Sequence, residues 1–70
     1  METLGSIIYR KRAELSLSQS ELAELIGVTR TEIWFWETDK RKPYPKNIRA
    51  LSSALGIPLA ELVKMAKLGG

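Results

Sequence analysis

The chain has no cysteine and no histidine among its 70 residues. Disulfides, zinc sites of the usual kind, thiol nucleophiles and imidazole bases are thereby excluded. Aromatic residues make up only 7% of the chain, proline occurs three times, and no apolar run approaches the length of a membrane span. With no cross-link or metal to help, so short a chain must build its core from helix packing, with or without a partner subunit. Lack of cysteine fits a reducing cytosol. The stretch from Met1 to Arg10 places its acid first and lacks the apolar centre of a signal peptide, so a cytoplasmic location is expected. Two carboxylate pairs, Glu21 with Glu24 and Glu32 with Glu37, could be mistaken for an acid–base couple. Glu21 and Glu32 are better read as helix caps, and no glycine-rich phosphate loop or metal-ligand cluster accompanies them. An enzyme is not expected, and neither is a cofactor. The net charge of +3 permits a polyanionic partner without requiring one.

What is present is concentrated between Gln19 and Glu37. Ser18 with Glu21, and Thr29 with Glu32, each pair a hydroxyl with a carboxylate three residues on, the pattern of a capping box at a helix start. Gly27 lies between the two resulting helices and suits the left-handed turn that ends the first. Leu22, Leu25, Ile26, Val28, Ile33 and Trp36 form the expected inward faces. Ala23 is small enough for a close crossing. Coincidence of these features is a helix-turn-helix signature, in which the second helix lies in the DNA major groove.

The remaining chain reads as three further helices. Helix 1 is expected over 4–15, with Thr3 as its cap and Leu4, Ile7, Ile8 and Leu15 inward; the central pair covers 19–26 and 30–38. Helix 4 follows over 46–55 with Ile48, Leu51 and Leu55 inward, and helix 5 over 58–67 with a stripe of Leu59, Leu62, Val63 and Ala66. Met65 and Leu68 point away from that stripe. Between helices 3 and 4, the run Lys40 to Arg49 holds five basic residues, two prolines and no acid. The expectation is one all-α domain spanning 1–70.

Leu4-Gly5, Arg12, Leu17-Ser18-Gln19, Glu21-Leu22-Ala23, Gly27-Val28-Thr29, Ile33, Trp36-Glu37, Lys40-Arg41, Pro43 and Leu55-Gly56-Ile57 resemble, in order and spacing, the Cro and phage-repressor type of helix-turn-helix, the XRE family. The resemblance implies a compact five-helix domain of the lambda-repressor kind, usually dimeric, that inserts helix 3 into the major groove of double-stranded operator DNA. It places Gln19 against a phosphate, Arg30, Thr31 and Phe35 at base edges with Trp34 beside them, and Lys40, Arg41 and Lys42 next to the backbone. It also implies a semi-buried ion pair between Arg12 and Glu37 that ties helix 1 to helix 3. Ser16 and Asp39 depart from the family, standing where it usually has glycine at helix ends. Trp34 and Phe35 depart as well, at outward positions that are normally polar.

Several residues carry two readings. Arg30 either donates two bonds to guanine or contacts a phosphate. Lys46 and Arg49 extend the basic run, as a phosphate clamp or as a solvated face. Trp34 and Phe35 meet thymine methyls, a protein partner or the chain's own neighbours. Met65 and Leu68 seal a dimer or belong to a loose end. The principal functional expectation is a sequence-specific, double-stranded DNA-binding transcriptional regulator, a repressor acting as a dimer in the family's manner. The alternative is a module for protein contact through the helix 3 aromatics, of antitoxin or coactivator type. A third reading is single-stranded nucleic-acid binding by stacking on those aromatics.

Overall fold

A computed structural model describes residues 2–68, with Leu68 described in its backbone alone. Five helices follow in order: α1 (Leu4–Glu14), α2 (Gln19–Ile26), α3 (Arg30–Glu37), α4 (Pro45–Leu55) and α5 (Leu59–Leu68). Among the described residues there is no strand, and no helix is long and apolar enough to cross a membrane. Each boundary lies within a residue of the expected one. The small differences follow from which end residue keeps helical geometry.

Local chemistry explains these starts and stops. Thr3 caps α1 by accepting a bond from the Ser6 amide at 3.1 Å, and the Ser6 hydroxyl accepts one from the Thr3 amide at 2.9 Å. Ser18 and Glu21 form the reciprocal box at the start of α2. Bonding to the Ser18 amide and hydroxyl holds the Glu21 carboxyl below its ordinary value. Thr29 accepts from the Glu32 amide at 3.2 Å, but no return bond to the Glu32 carboxylate accompanies it, so the second expected box is half formed. Gly27 ends α2 in the left-handed region at φ 76°. Pro45 opens α4, where its missing amide hydrogen costs nothing.

Among the described residues the largest fully buried side chains come one from each helix: Ile8, Leu22, Ile33, Leu51 and Leu62. Burying a side chain of this size contributes about 1.5–3 kcal/mol. Around them pack Leu4, Ile7, Ala23, Trp36, Ile48, Leu55 and Ile57. Three expected core residues are instead exposed: Leu15 (50%), Leu25 (63%) and Leu59 (41%). Leu15 falls just past the end of α1. The buried face of α2 is centred on Leu22, Ala23 and Ile26, and Leu25 lies about 100° from Ile26 around the helix. Leu59 is the first residue of α5, before the helix meets the core. Met65 corrects the expectation in the other direction. It stands three residues after Leu62, on the same side of α5, and packs partly buried against the core.

Asp39 resolves one of the departures from glycine. It has φ 58°, as does Ser16, so both adopt the left-handed conformation that glycine takes more easily. The Asp39 carboxylate turns this into a contact between helices. It accepts a bond from the Gly5 amide at 2.9 Å and from the Thr3 hydroxyl at 2.6 Å. A carboxylate at a helix N-terminus satisfies free amides and complements the helix dipole. The close approach depends on Gly5. A Cβ there would fall on the Trp36 carbonyl oxygen and lie 2.6 Å from that of Glu37.

Candidate nucleic-acid interface

The α2–turn–α3 unit is held from behind by Glu37. Its carboxylate accepts from Arg12 through Nε at 2.5 Å and through Nη2 at 3.0 Å. It also accepts from the Gln19 side-chain amide at 2.9 Å, while Arg12 Nη1 donates to the Leu17 carbonyl at 2.8 Å. The side chains of Arg12 and Glu37 are only 12% and 5% exposed, so this is a largely desolvated pair whose donors and acceptors are well met. Its bond to Glu37 raises Arg12 above the ordinary arginine value, against the opposing effect of burial. The Arg12–Glu37 pair thus joins α1, the α1–α2 connection, the start of α2 and the end of α3. Sequence reading anticipated the pair but not Gln19 as its third member, because residues 18 positions apart carry no local signal of contact.

The residues expected to face DNA are distributed as follows. Arg30 and Thr31 are exposed on the first turn of α3. Gln19, expected on a phosphate, spends one amide hydrogen on Glu37 and retains a second. Lys40 and Arg41 are exposed and lie over the α3 aromatics, Lys40 5.9 Å from the Trp34 ring centroid and Arg41 4.6 Å from that of Phe35. Lys42 is directed elsewhere: its ammonium donates to the Ala66 carbonyl of α5 at 2.6 Å. Lys46 is exposed near the start of α4. Trp34 is 41% exposed, Phe35 is partly buried, and the two rings meet edge to face at 5.4 Å. Trp36 is buried, as expected.

An open cleft of about 700 Å³ runs between the end of α2, α3 and the start of α4. Val28, Phe35 and Trp36 form its apolar side; Arg41 and Lys46 line it as well, and Lys42 borders it while its ammonium is held on the Ala66 carbonyl. This cleft is assembled from three helices and a loop, so no local stretch of sequence announces it. The Leu68 side chain, a dimer candidate, lies outside the described residues.

The helix-turn-helix family model matches residues 8–62, most of the chain. The protein belongs to the XRE-type helix-turn-helix family. The backbone of this family member is also similar to the P22 c2 repressor protein, in a crystal structure with a synthetic operator. The TM-score is 0.85 and the identity 31%, over 89% of this chain and 94% of that one. Comparison with curated protein sequences gives no match. This helix-turn-helix chain therefore has the five-helix repressor fold.

Proposed function

We propose that this protein is a sequence-specific, double-stranded DNA-binding repressor that acts as a dimer and reads the major groove with α3. The broader class, a DNA-binding transcription regulator, follows from the family and from likeness to a repressor on operator DNA. One observation carries the finer reading. The Gly27 turn joins α2 to an α3 whose first-turn residues, Arg30 and Thr31, are exposed, in a backbone similar to that of a repressor in an operator complex. In this reading Arg30 and Thr31 meet base edges, and Phe35 and Trp34 offer apolar edges to thymine methyls. Gln19, Lys40, Arg41 and Lys46 contact phosphates, and Lys42 joins them when its bond to Ala66 opens. A dimer matches a two-fold operator with half-sites about 10 base pairs apart.

Binding measured against a panel of duplexes separates these roles. Arg30→Ala is expected to lose about 1–3 kcal/mol of discrimination at one base position. Lys40→Gln and Arg41→Gln are expected to weaken binding to every duplex alike, each flattening the slope of log K against log salt by about one. If Arg30→Ala weakened all duplexes equally, its assignment to base reading would be wrong.

The exposure of Trp34 favours one second reading, contact with a protein through the α3 aromatics. Stoichiometric association with a protein, in the absence of salt-dependent duplex binding, would select it.

A further inference from the structure

Trp34 and Phe35 are neighbours on α3, and each ring carries a cation. Arg41 lies over Phe35 at 4.6 Å and Lys40 over Trp34 at 5.9 Å. The main chain reinforces the arrangement, because the Lys40 and Arg41 amides both donate to the Phe35 carbonyl, at 2.9 and 3.3 Å. The Thr38 hydroxyl donates to the Trp34 carbonyl at 2.8 Å. The edge-to-face contact of the two rings fixes them against each other. Among the described residues, neither Lys40 nor Arg41 has a carboxylate partner.

We infer that Trp34 and Phe35 are positioning residues, a paired aromatic platform that holds Lys40 and Arg41 ready for two phosphates of the DNA backbone. This rests on the DNA-binding reading above and adds a role that apolar contact with bases does not include. A guanidinium carries five N–H donors, and one held over a ring keeps donors free, so Arg41 can bind a phosphate without leaving Phe35. The Lys40 ammonium likewise keeps its solvent side open above Trp34. Ordering two long side chains before DNA arrives removes part of the entropy cost of ordering them on binding.

Leucine separates the two roles, since it keeps an apolar body and lacks a π face. Binding of wild-type protein, W34L, F35L, R41Q and F35L/R41Q is measured across a range of salt on a mixed-sequence duplex and on an unrelated duplex. Each leucine variant should weaken binding about two- to five-fold on both duplexes, with the salt slope unchanged because both charges remain. F35L should add nothing in the R41Q background, where the stacked cation is already gone. Trp34 is exposed, so W34L keeps the test usable if F35L disturbs packing. Several outcomes would overturn the inference: unchanged or tighter binding by both leucine variants, an effect confined to one duplex, or full additivity in the double variant. Unaltered binding by the variants beside salt-dependent binding by wild type leaves the DNA-binding reading standing. Absence of any salt-dependent binding by wild type defeats both.

Discussion

Replacing Glu37 with alanine is expected to destabilise the fold by about 3–5 kcal/mol, the cost of leaving one member of a buried ion pair uncompensated. The Arg12 guanidinium would keep its bond to the Leu17 carbonyl and lose both bonds to the carboxylate, and the Gln19 amide would lose its acceptor. A chain of this size has only roughly 0.05–0.15 kcal/mol of stability per residue, so much of its margin would be gone. Urea denaturation followed by circular dichroism gives the value. Arg12→Met combined with Glu37→Leu removes both charges and should recover most of the loss, since an apolar pair of similar volume is often neutral. Single and double variants with equal losses would show that the pair contributes through hydrogen-bond geometry more than through charge compensation.

Gly5→Ala is expected to have an effect of similar size for a steric reason. The new methyl group would fall on the Trp36 carbonyl oxygen and lie 2.6 Å from the Glu37 carbonyl, and neither is the tip of a flexible side chain. To make room, α1 must move away from the end of α3, stretching the bond from the Gly5 amide to Asp39. Overpacking typically costs about 1–3 kcal/mol, and a hydrogen bond to a charged group contributes about 1.5–3 kcal/mol. A loss of about 3 kcal/mol or more is therefore expected. Thermal unfolding checks it, at about 4–8 °C per kcal/mol for a domain this small. A variant that melts within a few degrees of wild type would mean that the two helices approach less closely than described. Asp39→Gly gives a smaller, informative contrast, because it relieves the left-handed backbone while removing the carboxylate from α1.

These two contacts also mark what sequence reading could and could not reach. The helices, the Gly27 stop and the Ser18–Glu21 box are legible because each depends on residues within four positions of one another. Leu15, Leu25 and Leu59 were misplaced because an apolar residue at the edge of a stripe carries the same pattern as one at its centre. Asp39 was recognised as a stand-in for glycine, but its carboxylate reaches residues 34 and 36 positions earlier in the chain. The partners of Lys42 and Gln19 also lie far away in the chain, at 24 and 18 positions. In the candidate interface, composition announced the cations, while their stacking on Trp34 and Phe35 emerged only when the loop folded back over α3.

The central claim is that α3 reads a two-fold operator. Selection of bound sequences from a random duplex pool, carried out at two salt concentrations, tests it most directly. The account predicts enrichment of a symmetric site with half-sites about one helical turn, or 10 base pairs, apart, and the enriched sequence should persist as higher salt weakens overall affinity. Salt-dependent retention with no enriched sequence would contradict it, leaving a basic helix-turn-helix surface that binds DNA without reading it.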